Sequence, residues 1–144
     1  MEMKAFLAKF GLSRADVEDW LSRPSVQLRN KYAPTVKGRA RKFTRKNVME
    51  LALVGALVKG GVRASDAAIW AEPIIEDHIS VLRKPNWIAF PAQSFDQMIS
   101  AKAISTKEIE YLSDLSPNAS VFILHVGKIF QQVDELFKLH SEDE

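Results

Sequence analysis

Residues 48–58, VMELALVGALV, constrain the fold more than any other part of the chain. Apolar residues lie on nearly every side of the helix that this stretch can form, so the helix must be buried all round. The stretch is about half as long as a membrane span and contains Glu50, which indicates a buried helix of a globular core. Thr44 can cap its amino end and the pair Gly60-Gly61 can end it, so the sequence predicts a central helix over residues 45–59.

Two shorter helices are predicted before this central helix. The first covers residues 3–10 and ends at Gly11, and the second begins after Ser13, which can cap it, and ends before Pro24. Two short helices joined by a turn of a few residues form the outline of a helix-turn-helix. Trp20 falls on the apolar face of the second helix, so we expect it in the core rather than in contact with DNA.

Charge is distributed unevenly along the chain. Residues 1–70 contain 14 Lys and Arg against 6 Asp and Glu, a net charge of +8. Residues 71–144 contain 6 against 12, a net charge of −6. The contrast is strongest in residues 23–46, which carry nine basic residues and no acidic one. A cationic stretch of this kind indicates a polyanionic partner.

The centre of the basic stretch is residues 35–43, TVKGRARKF, which we call the wing. Residues 25–43 lack helical periodicity, and the alternation around Gly38 favours a short β-hairpin. Beside a helix-turn-helix, the cations of such a hairpin can lie along phosphates or in the minor groove while a helix occupies the major groove. The alternative is a solvated cationic loop without a partner.

The second helix is the expected reader of base edges. Arg14 can donate to guanine, and Asp16 or Glu18 can accept from cytosine N4. The alternative is that Ser13 and Asp16 only cap the helix and that Glu18 faces solvent. The residues predicted to contact DNA are Ser13, Arg14, Arg23, Arg29, Lys31, Lys37, Arg39, Arg41, Lys42 and Arg45.

The chain after the central helix is predicted to form a further helix and then a small α/β segment. The helix covers residues 63–82, and Pro73 is expected to kink or split it. The elements predicted after it are strands over residues 87–90 and 120–126 and helices over residues 105–115 and 128–140. Gly127 is expected to break the second strand.

The last of these helices is amphipathic. Its apolar side carries Ile129, Phe130, Val133, Leu136 and Phe137. This side can cover the short sheet, or it can pair with its copy across a two-fold axis. Because winged helices that read symmetric operators act as dimers, we expect it to join two protomers.

Composition and motifs argue against an enzyme. The chain has no cysteine, which excludes disulfides, a cysteine-containing zinc site and thiol catalysis. Its three histidines have no metal-ligand spacing, and the sequence contains no glycine-rich phosphate loop, HExxH motif or Ser-His-Asp pattern. We therefore expect neither catalysis nor a cofactor. The first residues lack the apolar core of a secretory signal, so a cytoplasmic, nucleoid-associated protein is expected.

The order of the parts over residues 4–75 resembles the DNA-binding domain of MerR-like winged-helix regulators. In that family a helix-turn-helix is followed by a wing that ends in an Arg-aromatic pattern, and Arg41 and Phe43 stand at these positions. Thr44 then precedes the next helix, and Gly61 stands at its close. The resemblance implies binding of double-stranded DNA by the helix-turn-helix and the wing.

The chain departs from that family in two respects. Glu18 and Asp19 occupy positions where the family has a basic or aromatic residue, and the long coiled coil that usually follows the domain is replaced by Pro73 and the α/β segment. Effector binding, as in the metal and drug sensors of the family, is therefore not implied.

Together these observations predict a mainly α fold with a small β component. A winged helix-turn-helix over residues 1–80 precedes a small α/β dimerisation or partner-binding segment over residues 81–144. The expected function is sequence-specific binding of double-stranded DNA by a homodimeric bacterial or phage transcriptional regulator, with no membrane and no small-molecule effector. Two alternatives stay open: a protein–protein adaptor such as an antirepressor, and an architectural DNA-binding factor in recombination or packaging.

Overall fold

A computed structural model describes residues 1–79, 85–92 and 94–140. The helices are α1 (Met3–Leu7), α2 (Arg14–Ser22), α3 (Arg45–Lys59), α4 (Ala64–Ile79), α5 (Thr106–Asp114) and α6 (Val126–His140). The strands are β1 (Trp87–Pro91), β2 (Ile99–Ala101) and β3 (Val121–His125), with a 3₁₀ turn over Phe95–Gln97 between β1 and β2. The predicted mainly α fold with a small β component is confirmed. No helix in the described ranges is long and apolar enough to cross a membrane.

The central helix α3 has the predicted bounds and is buried on nearly every side. Leu51, Leu53 and Leu57 are each at most 1% exposed. This burial agrees with the sequence of the helix, which has no polar side to face solvent. The helix packs against α4 and α6. Its amino end is closed by a capping box, in which Thr44 Oγ1 accepts from Asn47 N at 3.1 Å and Asn47 Oδ1 accepts from Thr44 N at 3.0 Å.

The carboxyl end of α3 is closed at Gly61, whose φ is 98°. Val62 N donates to Leu57 O at 3.1 Å and Gly61 N donates to Val58 O at 3.0 Å. These two bonds form a Schellman motif, which needs a left-handed residue and therefore favours glycine. The α1–α2 turn closes in the same way at Gly11, as predicted, although the helix α1 itself ends at Leu7 rather than at residue 10.

The helix α4 continues through Pro73, so the predicted split of this helix does not occur. Proline lacks the N–H for an intrahelical bond, and here its side chain lies on the exposed side of the helix. The predicted end of the helix at residue 82, and the predicted domain boundary at residue 80, lie outside the described residues.

The sheet has the order β2-β1-β3, and β1 is antiparallel to both neighbours. Both predicted strands are confirmed, whereas β2 was missed because three residues carry too short a pattern to recognise. Alternation along β1 places Ile88 and Phe90 in the main core and turns Ala89 to the face that contacts α5. Gly127 does not separate β3 from the last helix, because α6 begins directly at Val126.

The apolar side of α6 is buried inside the chain. It packs against α3 and β1, and four of the five residues predicted to form a dimer surface are buried: Phe130, Val133, Leu136 and Phe137. The fifth, Ile129, is partly buried against the same cluster. The structure therefore corrects the expected dimerisation surface. The apolar side of α6 covers the core of its own chain and is not available to pair with a second copy.

One hydrophobic cluster joins the amino-terminal helices to the α/β segment. At the carboxyl end of α3, the ring of Phe122 from β3 lies so close to Gly60 that an added Cβ would approach the ring to 2.6 Å. At the amino end, Arg45 of α3 pairs with Asp134 of α6 at 3.3 Å. The α/β segment is thus held along the length of α3.

Candidate nucleic-acid interface

A buried carboxylate on α3 organises part of the basic stretch. Glu50 is 0% exposed, and its Oε2 accepts from Arg29 N at 2.7 Å. Its Oε1 accepts from Tyr32 Oη at 2.6 Å and from Asn30 N and Nδ2 at 3.3 Å each. A carboxylate out of contact with water is costly unless such donors surround it. The bonds therefore hold residues 29–32, which we call the anchored segment, against α3.

A second polar residue of α3 also binds the anchored segment. Asn47, which is also buried on α3, donates through Nδ2 to Lys31 O at 3.0 Å. Burial raises the pKa of Tyr32 far above its usual range, and the charge of Glu50 and the hydrogen bond to it raise this pKa further. Tyr32 thus stays protonated and keeps donating to Glu50, while the side chain of Lys31 stays exposed to solvent.

The wing is attached at its end and open at its tip. Phe43 is 1% exposed, contacts Phe6 edge-on with ring centroids 5.1 Å apart, and donates through its N to Met1 O at 2.7 Å. At the tip, Arg39 N donates to Val36 O at 3.1 Å across a turn in which Gly38 has a φ of 80°. The predicted hairpin is thus a tight turn with isolated bridges rather than a continuous ladder.

A groove of about 620 Å³ separates the wing from the helix-turn-helix. It is lined by Arg14 of α2 and by Arg39 and Arg41 of the wing, so the structure brings three of the predicted DNA contacts together. Glu2 and Glu18 also line it, and Arg14 pairs with Glu18 at 3.4 Å. The groove therefore contains both signs of charge, and a bound phosphate would compete with Glu18 for Arg14.

Three of the predicted contacts are engaged by acidic residues elsewhere. Arg23 pairs with Asp19 on α2, and this hydrogen bond raises its pKa. Arg29 pairs with Glu72 of α4, and Arg45 with Asp134 of α6. Ser13 acts as the predicted cap, because its Oγ accepts from Asp16 N at 3.1 Å. Glu72 and Asp134 lie far along the chain from Arg29 and Arg45, so the sequence pattern does not reveal these two ion pairs.

The remaining predicted contacts are unneutralised cations. Lys31, Lys37, Arg39 and Lys42 are exposed, and in the part of the chain that the structure describes no carboxylate forms an ion pair with them. Arg41 is partly buried and donates to Thr35 Oγ1 within the wing. Three of the four free cations belong to the wing, which is therefore the most cationic exposed element of the described chain.

Sequence reasoning missed the role of Glu50. In the sequence, Glu50 serves only as an argument against a membrane span. The available signal was its position three residues after Asn47, because residues three apart lie on the same side of a helix. A polar pair on one side of an otherwise apolar helix indicates a buried network rather than a solvated face.

Among the described residues there is no cluster of three or more side chains that could hold a metal ion.

No protein family and no curated protein matches this chain. The resemblance to MerR-like regulators therefore stays a prediction based on the residues quoted above.

Proposed function

We propose that this protein binds double-stranded DNA through the wing and α2, without a catalytic step. The observation that carries the proposal is the group of exposed cations on the wing, Lys37, Arg39 and Lys42, which have no acidic partner among the described residues. Lysine and arginine attract backbone phosphates without regard to base sequence. The buried Phe43 ties this group to the start of α3, and Arg39 lines the same groove as Arg14 of α2.

In the proposed complex α2 occupies the major groove and the wing follows the adjacent backbone. Arg14 reads a base edge from α2, and it must exchange Glu18 for the DNA to do so. The wing residues position the protein on the duplex. Because the two ion pairs on α2 lower its charge, we expect most of the salt-dependent affinity to come from the wing.

The role that follows from this mode of binding is a transcriptional regulator of bacterial or phage type, which binds a symmetric operator as a dimer. The two alternatives, a protein–protein adaptor and an architectural DNA-binding factor, would behave differently with DNA. An adaptor for an acidic protein binds no duplex, and an architectural factor protects DNA without sequence preference. Selection of bound sites from random duplexes distinguishes a regulator from an architectural factor.

The proposal is tested by salt titrations of duplex binding, followed by fluorescence anisotropy. The test variant is Lys37→Ala/Arg39→Ala/Lys42→Ala, and the matched control is Lys102→Ala/Lys107→Ala/Lys138→Ala, which removes the same charge from exposed lysines in the second half of the chain. If each wing residue neutralises one phosphate, the log–log slope becomes shallower by about 2.7 per protomer in the test variant only.

Two outcomes contradict the proposal. Equal losses in the wing variant and in the control indicate a response to net charge rather than to the wing. If the unmodified protein binds no duplex at low salt, nucleic-acid binding is excluded and the adaptor alternative is favoured.

A further inference from the structure

The outer edge of the sheet is formed by β3. Ala92 N donates to Ser120 O at 2.9 Å just beyond the β1–β3 pairing, which sets the alternation of hydrogen bonds between the two strands. With this alternation, Phe122 and Leu124 direct their backbone groups toward β1, and Ile123 directs its N–H and C=O outward. No hydrogen bond from another described residue reaches the backbone of Ile123 on that side.

This edge lacks the usual protection against pairing. Edge strands are normally blocked by charged side chains, prolines or bulges. The 13 residues from Leu115 to Gly127 contain no Lys, Arg, Asp or Glu, and β3 pairs with β1 in an unbroken register over its five residues. The side chain of Ile123, at the centre of the strand, is 41% exposed. Among the described residues the edge is therefore apolar, regular and unpaired.

We propose that β3 pairs with β3 of a second copy of the chain, antiparallel and about a two-fold axis at Ile123. In this arrangement the two Ile123 residues exchange both of their backbone hydrogen bonds, and Val121 of one copy lies opposite His125 of the other. The interface is isologous, since the same strand is used on both sides. It joins two three-stranded sheets into one sheet of six strands.

A second copy is the occupant that charge and position favour. The second half of the chain has a net charge of −6, but the edge itself is uncharged, so two copies meet there without like charges in opposition. The apolar side of α6 is already buried and offers no alternative surface. Phe122 places β3 at the carboxyl end of α3, whose 15 residues span about 22 Å. The wing ends at the amino end of α3, opposite to β3, so pairing leaves the wing exposed.

The inference goes beyond the proposed function and does not depend on it, since it is tested by mass rather than by DNA binding. Light scattering after size exclusion, at rising micromolar concentrations, should show the mass of the full chain approaching twice 16.2 kDa. Ile123→Lys should raise the dimer dissociation constant at least about a hundredfold, because it sets two ammonium groups against each other at the axis. Ile69→Lys, at an isoleucine that is 57% exposed on α4, is the matched control and should leave the dimer unchanged.

A mass of 16.2 kDa at the highest concentration overturns the proposal, and so does a dimer that persists in Ile123→Lys. Circular dichroism of each variant establishes that the fold is retained. Because Ile123 is exposed and its backbone bonds point away from β1, the substitution leaves the sheet within the chain intact.

The register is tested by single cysteines, which the natural chain lacks. In Ile123→Cys the two Cα atoms should lie about 5.5 Å apart, within reach of a disulfide. In Val121→Cys the two copies of the cysteine are displaced by four residues along the strand, about 13 Å, and should not be joined. Oxidation should therefore give a disulfide-linked dimer only with Ile123→Cys. Equal cross-linking of the two variants, or cross-linking of Val121→Cys alone, contradicts the proposed axis.

Discussion

The anchored segment and the wing are neighbouring parts of one basic stretch, yet they are held in opposite ways. Four hydrogen bonds fix residues 29–32 to the carboxylate of Glu50 in the core. The tip of the wing is closed by one backbone bond between Arg39 and Val36. The first arrangement depends on a distant residue of α3, whereas the second depends on a turn within the wing itself.

This difference shows how a basic surface can be ordered without losing its charge. Glu50 accepts mainly from backbone N–H groups and from the hydroxyl of Tyr32, so it orders the chain while leaving the ammonium of Lys31 in solvent. In the wing, order comes from Phe43 at one end, and the cations at the tip are exposed. Exposed side chains change rotamer freely. Freedom of this kind lets a side chain follow an irregular phosphate backbone, at an entropic cost on binding.

The largest expected effect is that of Glu50→Ala, which breaks the anchored segment. It leaves the N–H groups of Arg29 and Asn30 without their charged acceptor and leaves the hydroxyl of Tyr32 only the long bond to Asn47 O. At about 1.5 kcal/mol for each lost bond to a charged group, the free energy of unfolding should fall by about 4–5 kcal/mol. Urea denaturation measures this change. Glu76→Ala removes an exposed acid from α4 and should change stability little; an equally small loss in Glu50→Ala contradicts the assigned role.

A second effect is the dependence of stability on alkaline pH through Tyr32. The pKa of Tyr32 in the folded protein lies above its pKa in the unfolded chain. The contribution of Tyr32 to the free energy of unfolding is therefore complete below about pH 10, and it is lost at higher pH as Tyr32 ionises in the unfolded state. Tyr32→Phe should cost about 2 kcal/mol at neutral pH, the range for a hydrogen bond to a charged group, and should flatten the alkaline loss. Tyr111→Phe, at a tyrosine that is 57% exposed, is the control. If the alkaline loss is the same in both variants, it does not arise from Tyr32.

A third prediction separates α2 from the wing in DNA binding. Arg14→Ala should weaken the preferred duplex by about 1–3 kcal/mol more than a random duplex, because a bidentate base contact is lost. Arg39→Ala should weaken both duplexes alike, because a phosphate contact carries no base information. Anisotropy titrations with the two duplexes measure the difference. Equal losses for Arg14→Ala on both duplexes show that Arg14 positions the protein rather than reads the sequence.

The smallest expected effect compares two glycines with a positive φ and no atom within 4 Å of an added Cβ, Gly38 in the wing and Gly61 after α3. A left-handed alanine is strained by about 1–2 kcal/mol. Gly61→Ala should lower the unfolding free energy by about this amount, because the turn is fixed by the buried helix. Gly38→Ala should lower it by less, since the exposed turn can relax. Thermal denaturation checks the order, and equal losses would mean that the wing tip is as firmly coupled to the core as the end of α3.

The sequence alone determined the helices that begin and end on local signals. Thr44 with Asn47, Ser105 with Glu108, and the glycines at 11 and 61 act through hydrogen bonds within a few residues and through φ, so they are readable without the rest of the chain. The exposed cations of the wing were likewise predictable, because they depend on the absence of nearby acids in the sequence.

Only the tertiary structure decided which partners distant residues take. The pairs Arg29–Glu72 and Arg45–Asp134 join residues far apart in the chain and neutralise two of the predicted DNA contacts. The apolar side of α6 could have met a second copy, but α3 covers it, because a helix that is apolar all round needs neighbours on every side. An amphipathic pattern states that a side must be buried; which surface buries it depends on long-range packing that periodicity does not contain.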